Sequence, residues 1–244
     1  MRFCFASVII YIIEIKKDKI MTLVKDKNCI KYFCMAGIIL LCLYSNGLAE
    51  LFVPLFDNIY YGNLVKMFVG LTSAVIWGVE VCIIIFICKK LHIELFTPKQ
   101  NKGEELPTWK VILLFVLTLL PMIIISAVLN FKLKIVYALG MRITTMGLAG
   151  NVAELLAYAV RMLLMLMFIS CIQKGFEMIF KTKYVIPYGA IFAFLTFGLI
   201  DFFVLGADLR AFYLMVSLLY GVIYLVADKK FAITWILCYL IYLL

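Results

Sequence analysis

Residues 111–129, VILLFVLTLLPMIIISAVL, contain no charged side chain. A run of about 20 apolar residues matches the ~30 Å hydrocarbon core of a bilayer when wound as an α-helix. Several other runs of the chain have similar length. In hydrocarbon the backbone N–H and C=O groups find no water, so only helices or closed barrels satisfy them. These runs are continuously apolar and lack the period-two alternation of barrel strands, which predicts helices. Composition points the same way: 66% of the 244 residues are hydrophobic and only 15% are charged, whereas soluble domains are roughly half apolar. The predicted fold class is therefore all-α, a polytopic transmembrane helical bundle of about seven spans. They fall at 31–53, 64–88, 110–129, 151–172, 184–205, 209–227 and 231–244. Residues 31–244 form a single transmembrane helical domain, with no internal repeat and no second soluble domain.

The connections orient the bundle, because cytoplasmic loops are enriched in Lys and Arg. Lys16, Lys17, Lys19, Lys25, Lys27 and Lys31 precede the first span; Lys89, Lys90, Lys99, Lys102 and Lys110 separate the second and third; Lys174, Lys181 and Lys183 follow the fourth; Lys229 and Lys230 precede the last. The alternate connections carry Lys132, Lys134, Arg142 and Arg210. The expected localisation is a bacterial plasma membrane, multi-pass, with the basic loops in the cytoplasm. The net charge of +9 is thus assigned to topology and the lipid bilayer; the basic residues form no aromatic-interleaved patch, so nucleic acid is not an expected partner. Residues 89–110, KKLHIELFTPKQNKGEELPTWK, form the one long polar loop. They read as a solvated connector and as the best candidate for a cytoplasmic contact with another protein. Residues 1–30 combine an apolar segment, FCFASVIIYIIEI, with a basic stretch. The apolar segment reads as an interfacial helix, as an eighth span, or as an extension upstream of a chain that starts at Met21.

Charges inside spans are costly, about 2.5–3.5 kcal/mol each on insertion scales, and mark functional candidates. Three stand out. In NVAELLAYAVRMLL, residues 151–164, the fourth span enters from the outside near Asn151. At ~1.5 Å per residue, Glu154 lies ~5 Å along it and Arg161 ~15 Å, close to the midplane. Asn151 as N-cap with Glu154 three residues on resembles a capping box, which accounts for Glu154 at the positive end of a helix dipole. Arg161 has no helix end nearby and keeps its proton, so it should face the bundle interior and find a carboxylate. Glu80 in the second span is the expected partner, as a structural pair or as a midplane site. Asp201 in the fifth span lies near its outer end.

The catalytic alternatives are poorly supplied. The only histidine, His92, lies in a loop, away from any span nucleophile. There is no GxSxG, HExxH or glycine-rich phosphate loop. The eight cysteines lie mostly in or beside spans and contain no CxxC, so they read as apolar core residues, and neither a metal site nor another cofactor is expected.

The C-terminal half, residues 151–244, resembles the CPBP family of membrane proteins (CAAX proteases and bacteriocin-processing or Abi proteins). The resemblance rests on helix order and on three motif positions. AELLAYAVR carries Glu154 and Arg161, where the family has Glu-Glu-x-x-x-Arg. FGLID carries Phe197 and, in place of the family's histidine, Asp201. CYLIY carries Cys238 and Tyr242 for the family's His and Asn/Asp, following LLYGVIYLVADKKFAITWIL. With both histidines replaced, the resemblance implies a non-catalytic relative, a partner-binding scaffold or bacteriocin-immunity-type protein whose partner is another membrane protein or a peptide. Two other expectations stand beside it. One is a small transporter or channel subunit with a midplane Arg161/Glu80 site. The other is an intramembrane protease using Glu154 and Asp201.

Overall fold

A computed structural model describes residues 27–45, 62–95, 106–128, 134–180, 186–199 and 210–243. Helices and the turns that end them account for almost all of this: α1 (Lys27–Leu43), α2 (Gly62–Lys90), α3 (Thr108–Val128), α4 (Lys134–Phe180), α5 (Tyr188–Ala193) running directly into a π-helical turn (Phe194–Gly198), α6 (Arg210–Val226) and α7 (Phe231–Leu243). The described residues contain no strand. Two segments, Met67–Lys90 and Leu148–Phe180, are long and apolar enough to cross a membrane. The other apolar helices are shorter: α7, with 13 residues, rises only about 20 Å.

The elements depart from the expected spans in three places. The fourth helix is not 151–172 but a continuous 47-residue rod. No proline interrupts 134–180, and the glycines there are too weak as breakers, at roughly 1 kcal/mol each, to end a helix on their own. Asn151 is consequently in mid-helix and buried; it is no N-cap, and the capping-box account of Glu154 fails with it. In the first expected span, α1 ends at Leu43 in a turn over Tyr44 and Ser45, and residues 46–53 lie outside the described region. Of the fifth, 184–205, helix is described over 188–199, including the π-turn. Pro121 lies inside α3 and does not end it.

Interlocking contacts define the arrangement. A Cβ on Gly70 would sit 3.3 Å from Ala153 on α4, and Trp77 meets Arg161 further along, so α2 and α4 run side by side in the same direction. Tyr32 reaches Glu94, while Ser45 lies beside Glu80, so α1 is antiparallel to α2. On α7, Trp235 Nε1 donates to Ala159 O (3.0 Å) and Tyr239 OH donates to Leu155 O (3.1 Å), so α7 runs antiparallel to α4. The odd-numbered helices start, and the even-numbered helices end, toward one end of the bundle.

The closest helix approach uses small residues. A Cβ on Gly221 of α6 would lie 2.3 Å from the Cα of Ala190 in α5; one on Gly198 would lie 2.4 Å from Ser217 Oγ, and one on Gly189 2.7 Å from Ile169 O. Glycine is required where two backbones come this near, and small-residue seams of this kind are characteristic of helix pairs in lipid. The π-turn sits on this seam: one residue is added to the turn, and Gly198 is set against Ser217. The core is continuous from Ile39 and Met35 on α1, through Trp77 and Ile84 on α2 and Leu164 to Ile172 on α4, to Ile223, Cys238 and Ile241.

The exterior is apolar. Leu41, Val75, Phe86, Trp109, Ile112, Phe115, Ile123, Leu148 and Leu156 are all more than half exposed. Hydroxyls are folded back onto their own helices: Ser73 donates to Val69 O, Thr118 to Leu114 O, Thr196 to Phe192 O and Thr234 to Lys230 O, which leaves fewer polar groups for the surroundings to satisfy.

Candidate functional site

The described polar chemistry collects in two places. The first is the end of the bundle where α4 terminates in SCIQKGFEMIF. Ser170, Gln173 and Glu177 are spaced i, i+3, i+7, which puts them on one face of the helix. Ser170 Oγ donates to Leu95 O (2.7 Å) and accepts from Tyr224 OH (2.9 Å). Gln173, 1% exposed, makes three bonds: Nε2 donates to Glu177 Oε1 (2.7 Å) and to Ile186 O (2.9 Å), and Oε1 accepts from Gly189 N (3.0 Å). Glu177 in turn receives Lys229 Nζ at 2.6 Å. Lys174 Nζ donates to Glu94 O, Glu94 N–H donates to Tyr32 OH, and Lys110 pairs with Asp228.

Local geometry delivers these groups. Helix α2 closes through His92 at φ 54, with Ile93 N bonded to Cys88 O and His92 N to Lys89 O, the Schellman pattern. Ile93 and Cys88 are both buried, supplying its hydrophobic contact. The sole histidine is therefore a helix terminator, and the stretch 91–95 is pinned against α1 and α4, so the beginning of the 89–110 loop is no solvated connector. Helix α6 ends in the same way: Lys229 N bonds Tyr224 O and Asp228 N bonds Leu225 O, with Asp228 and Lys229 at φ 52 and 61. A left-handed conformation costs a non-glycine residue about 1–2 kcal/mol. The two residues that adopt it are the two that make the ion pairs to Lys110 and Glu177. Helix α5 begins behind Pro187 without a side-chain cap of its own; Gln173, from another helix, occupies its Gly189 N–H. Beside it, Phe176 stacks on Tyr188 at 4.9 Å and meets Phe33 edge-on at 5.0 Å. Tyr188 is thus part of an aromatic cluster between helices.

The second place lies within the long helices. The Arg161 guanidinium sits over the Trp77 ring, 5.9 Å from its centroid, within the range of a cation–π contact. Glu80 is one turn on from Trp77 along α2. Arg161 and Glu80 stand on neighbouring helices, yet no ion pair joins them among the described residues. Ser45 lies beside the Glu80 carboxylate. Trp77 Nε1, Glu80 Oε2 and Ser45 Oγ are all buried and have no hydrogen-bond partner. Glu154 is half-buried on α4, its backbone against Gly70, two turns from Arg161. Asp201 lies outside the described residues, as do Glu50 and Asp208. Phe197 packs on Phe168 at 5.2 Å and on Tyr44 at 6.3 Å, and Cys238 has no exposure.

Among the described residues no three metal-ligating side chains stand close enough to share an ion. No family model matches the chain, and no curated protein or solved structure matches it.

Proposed function

We propose that the chain is a non-catalytic, multi-pass protein of the bacterial plasma membrane that serves as a partner-binding scaffold, the immunity-type role implied by its resemblance to CPBP proteins. Seven hydrophobic segments of alternating direction span or dip into the bilayer, with the Lys-rich ends on the cytoplasmic side. The apolar exterior supports this placement, since a water-facing surface of such large side chains would drive association. The observation that carries the scaffold reading is how the family-motif positions are used. Arg161 stacks on Trp77, Phe197 packs between two aromatic rings, and Cys238 is sealed in the core. Each serves the joining of helices, as do Lys110–Asp228 and Lys229–Glu177. The polar loop 89–110 is then the contact for a membrane protein or peptide.

A photocrosslinking amino acid at Gln100 in intact cells tests this. The expected result is a discrete protein adduct that persists when Glu154→Gln is combined with Asp201→Asn. If positions across 96–105 yield no adduct, or the double substitution abolishes a proteolytic product, the scaffold reading is wrong.

A further inference from the structure

Trp77 is 3% exposed, yet its indole N–H donates to nothing. One turn along, a Glu80 carboxylate oxygen is buried without a donor, and the Ser45 hydroxyl beside it is in the same condition. Across the helix interface the Arg161 guanidinium meets the face of Trp77 and no carboxylate among the described residues. Buried polar groups are satisfied in nearly all folded proteins, and each exception calls for a reason. Glu80 is ten residues from Lys90 at the end of α2, about 15 Å along the helix.

From this constellation we propose a binding site for a small zwitterion, a free α-amino acid, between α1, α2 and α4. The cluster holds a guanidinium and a carboxyl group that do not pair with each other directly, with an N–H donor beside the guanidinium and a hydroxyl beside the carboxyl group. An α-carboxylate accepts from Arg161 and from Trp77 Nε1; the adjacent α-ammonium donates to Glu80 and Ser45. An anion alone would leave Glu80 uncompensated and add repulsion, and a cation alone would do the same at Arg161, whereas a molecule carrying both charges completes two ion pairs at once. The surroundings, Cys42 and the Trp77 ring, suit a small or apolar ligand side chain. The inference does not depend on the scaffold reading and requires only that the three helices pack as described.

The test uses the full-length protein in detergent with Trp109→Phe and Trp235→Phe, leaving Trp77 as the only tryptophan. Glycine, L-alanine and L-leucine are titrated against its emission, with acetate and methylammonium as half-molecule controls. A saturable shift with at least one amino acid and none with either control at equal concentration is expected, weakened at least tenfold by Glu80→Gln and by Arg161→Gln. Should Arg161→Gln fail to fold, the titration of the parent protein and of Glu80→Gln still decides. No saturable response to any of the three amino acids would mean that water alone fills the site and would overturn the proposal. So would an equal response to acetate, or an undiminished one in Glu80→Gln.

Discussion

Gly221→Ala is expected to cost the protein much of its stability, although it adds a single methyl group. The added Cβ would fall 2.3 Å from Ala190 Cα and 2.5 Å from both Ala190 N and Cβ. Two of these atoms are backbone, so no rotamer change relieves the clash and α5 and α6 must separate. Over-packing of a well-packed interior costs about 1–3 kcal/mol, and more where the backbone has to shift. Separation also loosens Gly198 against Ser217, the other close approach on the same seam. A loss of about 3 kcal/mol in a chain of this size lowers the melting temperature by roughly 10 °C. The internal control is Gly78→Ala: nothing lies within 4 Å of a Cβ there, so the substitution is expected to be neutral or to gain up to ~1 kcal/mol from helix propensity. Thermal melting of the two detergent-purified variants measures the contrast, and equal melting temperatures would contradict the close α5–α6 seam.

The second large effect is expected at Gln173→Leu. Its side chain is almost wholly enclosed and satisfies the N–H of Gly189, the C=O of Ile186 and an oxygen of Glu177. Leucine fills a similar volume but supplies none of these bonds, leaving at least the buried Gly189 N–H without a partner. Each buried group so stranded costs about 1–3 kcal/mol, for a total of roughly 3 kcal/mol. Glu177→Gln removes a charge from the pair with Lys229, whose side chains are 34% and 25% exposed; a partly exposed ion pair contributes only about 0–1 kcal/mol. The neutral amide should therefore matter more than the charged pair beside it. Chemical or thermal denaturation of the two single variants gives the order, and a larger loss at Glu177→Gln would show that electrostatics holds this end together.

What the sequence made legible was the apolar part. Continuous hydrophobic runs placed helices at 64–88 and 110–129, close to Gly62–Lys90 and Thr108–Val128, because burial and backbone satisfaction act on every residue of such a run. Helix ends were less legible. Residues 134–151 carry Lys134, Arg142, Thr144 and Thr145 and so read as a connection, yet they contain no proline to break a helix, and the helix runs through Asn151. The polar end of α4 was missed although its signal was present: Ser170, Gln173 and Glu177 fall on one helical face, the pattern expected when uncharged polar side chains join helices. Attention to formal charge alone led to Arg161 and Glu80 and passed over a glutamine that makes three hydrogen bonds. Their expected ion pair assumed that opposite charges on adjacent spans must touch. The ring of Trp77, three residues from Glu80, gives the guanidinium a different neighbour.

The proposal that the chain crosses the membrane repeatedly with its Lys-rich ends in the cytoplasm is tested most directly by paired reporter fusions. Truncations after residues 100, 131 and 182 would each be joined to a phosphatase that is active only outside the cytoplasm and, separately, to a fluorescent protein that matures only inside. The account predicts fluorescence without phosphatase activity at 100 and 182, and phosphatase activity without fluorescence at 131. Fluorescence at all three positions, or the reversed pattern, would contradict it.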